Sequence, residues 1–270
     1  MNKNDLQNLI DEKLKNSINS LTEDEAKKIF NVYDIPVVPE RVAEDAQKAV
    51  SASQQLGYPV AVKALGKSLL HKSDAGLVSL HLSSDDQVQQ AAESMIEKAG
   101  NDIEAFVVQP MIRGERQFVA GMFRDPQFGP VILFGIGGVL TEALNDAAFK
   151  IAPLSAADVN DMFEQLASKR LLDAFRGEAA VNKMTLEKVL MGLSQLSLVH
   201  PDIKEIDINP LIIKPDGEPV AVDGLIMLER SEKKKNHRYN IDLQALGACY
   251  YPDSIAFVGA SAQFGKWGHM

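Results

Sequence analysis

Lys63 closes the run Tyr58-Pro59-Val60-Ala61-Val62-Lys63, and an ammonium at the end of an apolar strand is costly to bury unpaired. It either reaches solvent or meets an anion such as a phosphate. The loop Lys67-Ser68-Leu69-Leu70-His71-Lys72-Ser73-Asp74-Ala75-Gly76 offers a different chemistry. His71 has an imidazole that can take a phosphoryl group on nitrogen, Lys72 could offset the charge, and Asp74 could fix the ring. The bland alternative is a polar surface loop. In Glu205-Ile206-Asp207-Ile208-Asn209-Pro210 the odd-numbered polar residues share one face of a strand while the isoleucines enter a core. Asp223 follows the apolar Val220-Ala221-Val222 on what reads as the adjacent strand. Oxygens from Asp207, Asn209 and Asp223 suit Mg²⁺, which prefers oxygen ligands and keeps waters while bridging phosphates; a solvated sheet face with turn acids is the competing reading. Glu115, after the Arg113-Gly114 turn, could accept from ribose hydroxyls or be a surface acid.

Gly135, Gly137 and Gly138 follow the apolar Val131–Phe134 run, and glycines this dense imply backbone held close to something. Spacing alone does not say what. No G-x-x-x-x-G-K-[ST] loop and no G-x-G-x-x-G leading into a helix occurs there, which excludes a P-loop and a dinucleotide fingerprint at this position.

The elements that must position these residues read as an α/β layer structure. Thr22-Glu23-Asp24-Glu25 predicts a capping box, with Ala26, Ile29, Phe30 and Tyr33 on one helix face and a stop before Pro36. A second helix spans 45–56 and closes at Gly57. Strands are expected at 58–63, 77–82 and 104–110, with a helix at 85–98. Strands at 115–124 and 130–134, helical material over 155–175 and a helix at 185–199 follow. Strands at 203–208 and 220–222 then flank the Lys214-Pro215-Asp216-Gly217 turn. Residues 232–238 form a charged run that reads as a linker, and 252–261 resemble the first strand and Gly turn of another α/β domain.

Bulk composition narrows the class. The 270 residues carry 28 Lys and Arg against 37 Asp and Glu, a net charge of −9, which argues against a nucleic-acid surface. The single cysteine, Cys249, excludes an internal disulfide framework and a multi-cysteine metal site. The polar first twenty residues hold no signal-peptide core, and no run approaches the roughly 20 apolar residues of a membrane helix. The expectation is a soluble, cytoplasmic protein without a membrane or nucleic-acid partner.

The motifs together resemble the ATP-grasp (β-type) component of ADP-forming acyl-CoA synthetases, the group of acetate–CoA ligase (ADP-forming), related to the succinyl-CoA synthetase β subunit. The resemblance runs from about Thr22 to Glu229. It rests on Gly57–Lys63, His71-Lys72-Ser73-Asp74, Arg124–Pro130 with Phe134–Gly138, and Asp207-Ile208-Asn209-Pro210. One departure is Leu77, standing after Gly76 where the family usually has a second glycine.

The resemblance implies an α/β (α+β) ATP-grasp fold of two subdomains, followed by a truncated start of a Rossmann-like CoA-binding domain. The corresponding divisions are an N-terminal extension (1–21), subdomain 1 (22–113), subdomain 2 (114–230), a linker (231–250) and the incomplete domain (251–270). It implies that ATP/ADP binds with Lys63 on the phosphates, Val107, Val108 and Gln109 presenting backbone to adenine, Glu115 near the ribose, and Gly135, Gly137 and Gly138 near the phosphates. Asn209 and Asp223 are implied as Mg²⁺ ligands with Asp207 as helper, and His71 as a phosphohistidine relay. The implied reaction is acid + ATP + CoA to acyl-CoA + ADP + phosphate. CoA would be bound mainly by domains in a longer chain or separate subunit, with a small carboxylic acid as the other substrate; the oligomeric state is left open. A β-type half of a succinate–CoA ligase-like enzyme and a non-catalytic nucleotide-sensing module remain as alternatives.

Overall fold

The computed structural model describes residues 3–66, 76–138, 146–231, 242–252 and 254. The chain divides into two compact units, 1–231 and 232–270. In the second, a helix spans Leu243–Tyr250 within the stretch expected as linker. The expected start of a CoA-binding domain lies almost entirely outside the described residues.

The first unit contains two antiparallel sheets. The smaller has the order β1-β4-β2-β3, from β1 (Arg41–Ala43), β2 (Val60–Leu65), β3 (Val78–Leu82) and β4 (Ala105–Pro110). Helices α3 (Ala46–Leu56) and α4 (Asp85–Ala99) cover one face, burying Ala49, Val88, Ala92 and Met95 against Val60, Val62, Phe106 and Val108. Local chemistry sets the helix starts. Asp45 accepts from the Lys48 amide at 2.7 Å and Ser84 from the Gln87 amide at 3.3 Å, each satisfying a donor of the first turn. Gly57, at φ 84°, ends α3 in a conformation that disfavours a side chain. Leu77 is buried in this core.

The larger sheet runs β10-β8-β5-β6-β7, with β9 paired to β8. Its strands are β5 (Arg116–Asp125), β6 (Gly129–Ile136), β7 (Ala147–Ile151), β8 (Ile203–Ile213), β9 (Pro219–Ala221) and β10 (Leu225–Leu228). Helices α5 (Ala156–Gln165) and α6 (Lys183–Val199) pack on one face, placing Met162, Phe163, Leu190 and Leu193 against Phe118, Met122, Phe134 and Ile206. The stripe Leu186, Val189, Leu190, Leu193 and Leu196 is fully buried, as its spacing predicts.

Two N-terminal helices belong to this larger core. α1 (Lys3–Lys15) buries Leu6 and Ile10 completely, and Gln7 Oε1 lies 2.8 Å from the buried ring of His200. α1 is therefore part of the larger core. α2 (Glu23–Val32) starts with the expected capping box, the Thr22 amide donating to Glu25 Oε2 at 2.9 Å. Its Ala26, Ile29 and Phe30 enter the core of the larger sheet, so the expected subdomain boundary at residue 22 is displaced: the smaller core begins at Ala43. Strands β1, β7 and β10 were not among the sequence expectations.

Candidate active site

Lys63 lies inside β2, which continues to Leu65, rather than at the strand's end. Its register partners are Val107 on β4 and Val78 on β3. Val62 and Ala64 face the smaller core, so the alternation turns Lys63 toward α2 and the larger sheet. There its ammonium donates to Glu23 Oε1 at 2.6 Å and Asp223 Oδ2 at 3.0 Å. Burial lowers the ammonium's pKa, but the carboxylates of Glu23 and Asp223 outweigh it and the net shift is upward. Lys63 is thus buried and ionised, neither extended to solvent nor unpaired.

A second lysine completes this junction. Lys27, 1% exposed, donates to Glu23 Oε1, Glu40 Oε2 and Gln109 Oε1, each at 2.8 Å. Its three N–H donors thereby have three acceptors. Burial pushes the Glu40 carboxyl up, with Lys27 opposing. Sequence reasoning passed over Glu23, Lys27 and Glu40. A signal was present: Glu23 and Lys27 stand i, i+4 on the stripe that also holds Ala26 and Phe30, where apolar residues are expected.

β8 shows the predicted alternation. Ile206 and Ile208 are buried, while Glu205, Asp207 and Asn209 share the opposite face. Asp207 sits across from Gly121 on β5 and Leu225 on β10. Burial, Glu205 and Asp223 together push its carboxyl up to about 6. Asp223 lies just beyond β9, and its Oδ1 accepts from the Gly224 amide at 2.8 Å. The neighbouring Val222 amide donates to Pro210 O at 3.1 Å, which ties this turn to the Asn209-Pro210 step. Among the described residues, no three His, Cys, Asp or Glu side chains form a metal-holding group. Two carboxylates and an amide instead offer an open, oxygen-only set. That set fits a cation that retains waters and shares its shell with phosphates. The mutual repulsion of Asp207, Glu205 and Asp223 is what such a cation would relieve.

The remaining sequence candidates are more dispersed. β4 is an inner strand, with Val107 opposite Val42 and Lys63, and Val108 opposite Arg41 and Val62. The β1 register ends at Val108, whereas Gln109 pairs on the β2 side with Ala61. Val107, Val108 and Gln109 thus all lie within the ladders of β4, with Gln109 one residue past the β1 pairing. Glu115 is exposed, its nearest ionic neighbour being Arg176 at 3.7 Å. Beside it, buried Arg116 binds Glu178 at 3.0 Å and the carbonyls of Leu171 and Asp173 at 3.1 and 3.0 Å, pinning the segment before α6 to β5.

The glycines have a packing explanation. Gly135 belongs to β6, and a Cβ there would meet Asp146 O at 2.6 Å and Ala147 Cβ at 2.8 Å. One at Gly137 would lie 2.7 Å from the Phe118 carbonyl. Gly138 has φ 72° and abuts the Gln117 side chain. What approaches these residues is neighbouring protein, chiefly the adjoining strands β5 and β7. His71 lies outside the described residues.

Two α/β layers meet at the Lys63–Asp223 contact, and residues 12–228 match the ATP-grasp domain family. The chain belongs to that family, among the β-type components of ADP-forming acyl-CoA synthetases. It is 37% identical over 222 residues to the β subunit of acetate–CoA ligase (ADP-forming) I from Pyrococcus furiosus, covering 80% of this chain and 95% of that subunit. It is 31% identical over 223 residues to 4-hydroxybutyrate–CoA ligase (ADP-forming) from Nitrosopumilus maritimus, where it covers 81% of this chain but spans only 32% of the relative. Among solved structures it resembles dinucleotide forming acetyl-coenzyme A synthetase 1 of Ca. Korarchaeum cryptofilum. That protein was captured with coenzyme A and Mg-AMPPCP, its phosphohistidine segment pointing towards the nucleotide binding site. The TM-score is 0.73 at 33% identity, over 83% of this chain and 100% of that one.

Proposed function

We propose that this chain is the ATP-binding and phosphoryl-transferring part of an ADP-forming acid–CoA ligase, which converts acid, ATP and CoA to acyl-CoA, ADP and phosphate. The observation that carries the reading is the 3.0 Å contact between Lys63 and Asp223, which joins the two sheets beside the oxygens of β8. The names of its relatives support the same activity.

In this reading Glu23 and Asp223 take two donors of the Lys63 ammonium and a phosphate oxygen takes the third. Asn209 and Asp223 hold Mg²⁺ with Asp207 as helper; when bound, the ion supplies charge neutralisation on the phosphates. Adenine lies along the end of β4 at Val107–Gln109, taking hydrogen bonds from backbone at that strand end. Glu115 accepts from the ribose, and the Gly135–Gly138 stretch supports the phosphate side. An imidazole nitrogen of His71 attacks the γ-phosphorus. The N–P bond forms as the bond to the β-phosphate oxygen breaks, and ADP leaves with the electron pair. The phosphoryl group then passes to the acyl side on a CoA-binding partner, in the same or another polypeptide, which also binds a small carboxylic acid.

Incubation of the full chain with γ-labelled ATP and Mg²⁺ tests this. An acid-labile, base-stable label is expected on the wild type and lost in His71→Asn. No label on the wild type, or label undiminished by His71→Asn, overturns the relay.

A further inference from the structure

Glu23 enters the proposed chemistry only as an acceptor for Lys63, and buried Lys27, which it also binds, has no part in it. Burying an ion pair is expensive, so two lysines and a shared carboxylate at one junction call for an explanation beyond stability. Glu23 Oε1 accepts from both ammoniums, at 2.6 Å from Lys63 and 2.8 Å from Lys27. Lys27 in turn is held by Glu40 and by Gln109, whose strand β4 is the immediate neighbour of β2. The same Glu23 oxygen that grips Lys63 is therefore tied, through Lys27, to the body of the smaller sheet.

We infer that Glu23 is a positioning residue for Lys63, held in place by Lys27. Together they aim the Lys63 ammonium at the nucleotide phosphates from a helix that packs on the other core. The inference deepens the functional reading above and rests on it. Three geometric facts support it. Lys63 is four methylenes long and would otherwise sweep a wide arc, yet it is 4% exposed and fixed at two points. Of those points, Asp223 is also a candidate metal ligand, and its side chain is 43% exposed against 4% for Glu23. Glu23 is thus the anchor that stays when Asp223 turns to a cation. Finally, Glu23 is the first residue of α2, and the capping box at Thr22 and Glu25 fixes the direction in which that turn leaves the chain.

A positioning group affects the reacting geometry more than ground-state binding, because the remaining nucleotide contacts stay intact. In the full chain, Glu23→Gln is expected to lower the rate of label transfer from γ-labelled ATP at saturating ATP by about 30-fold, with half-saturation shifted less than about threefold. In a Lys63→Met background the same substitution is expected to change the rate by less than about twofold, since Glu23 acts through Lys63. Glu23→Asp keeps the charge for folding and withdraws the carboxylate by one methylene, giving the same split in milder form should the Gln variant fail to fold. A wild type that takes no label overturns the functional reading and this inference with it. A labelled wild type overturns the inference alone if folded Glu23 variants transfer at the wild-type rate. So does a Glu23→Gln loss that multiplies undiminished with Lys63→Met, the result a purely structural role would give.

Discussion

Lys63 Nζ lies 2.6 Å from Glu23 Oε1, although the two residues stand 40 positions apart and their elements pack into different hydrophobic cores. Each core is built from apolar side chains that satisfy themselves. What joins them here is ionic: Lys63 to Glu23 and Asp223, and Lys27 to Glu23, Glu40 and Gln109. Apolar contact between layers tolerates sliding, whereas a shared carboxylate with two ammoniums fixes distance and direction. The junction thus acts as a hydrogen-bonded tie between the sheets, and Lys63 is part of it.

Removing one member of that tie leaves charges buried without their partner. Lys27→Met is expected to destabilise the first unit by about 3 kcal/mol, because Glu40 and Glu23 lose an ammonium that water does not replace. Denaturant unfolding should show a lower midpoint at an unchanged slope. A midpoint equal to the wild type would mean that the network contributes no net stability.

Gly137 separates packing from ligand binding as the purpose of the glycine run. An added Cβ would stand 2.7 Å from the Phe118 carbonyl, in a strand that cannot retreat from its two neighbours. Gly137→Ala is expected to cost about 2 kcal/mol of stability through overpacking. Nucleotide affinity of the fraction that remains folded should change little. Loss of affinity with unchanged melting would reverse the assignment.

Local signals are legible in this sequence and distant ones are not, for a physical reason. Capping at Thr22, the Gly57 stop and the period-2 pattern of Glu205–Asn209 are set by residues within a turn or two, so they were legible. Strands β1, β7 and β10 hold three to five residues each and exist only because a longer neighbour offers its edge. The charge-rich helix α1 reads as an extension, since polar and charged residues outnumber the leucines and the isoleucine that pack it on the core. Lys63 is an anomaly in its apolar strand, but its partners lie 40 and 160 positions away, beyond any local pattern. The dense glycines correctly announced close approach without saying that neighbouring protein was what approached.

Asp207 links the site to pH. Its carboxyl is raised from 3.8 to about 6, by burial and then by Glu205 and Asp223. Below pH 4 the acid is protonated in both folded and unfolded chains and costs nothing. Between pH 4 and 6 the unfolded chain gives up the proton while the folded one keeps it, so this group's contribution to stability falls as pH rises and levels off above 6. Asp207→Asn should therefore be more stable than the wild type at pH 7, the difference closing toward pH 4. Thermal melts across that range measure it, and a difference constant with pH would contradict the assignment.

Asp223 offers the sharpest separation of binding chemistry from folding, because it has two claims on one carboxylate. Oδ2 accepts from Lys63 at 3.0 Å and Oδ1 from the Gly224 amide at 2.8 Å, so the group is oriented but remains partly open to solvent. Glu23 continues to hold Lys63 when Asp223 is neutralised, and the fold should survive. Asp223→Asn keeps the shape and removes the charge that a divalent cation requires. Label transfer from γ-labelled ATP is expected to fall about 100-fold. The Mg²⁺ concentration for half-maximal transfer should rise about tenfold, with melting little changed. Asp216→Asn is the matched control. It is an exposed acid whose partner Lys214 belongs to the same turn, and both readouts should stay at wild-type values. Equal loss in the two variants would point to general charge, and no loss in either would remove Asp223 from the proposed metal site.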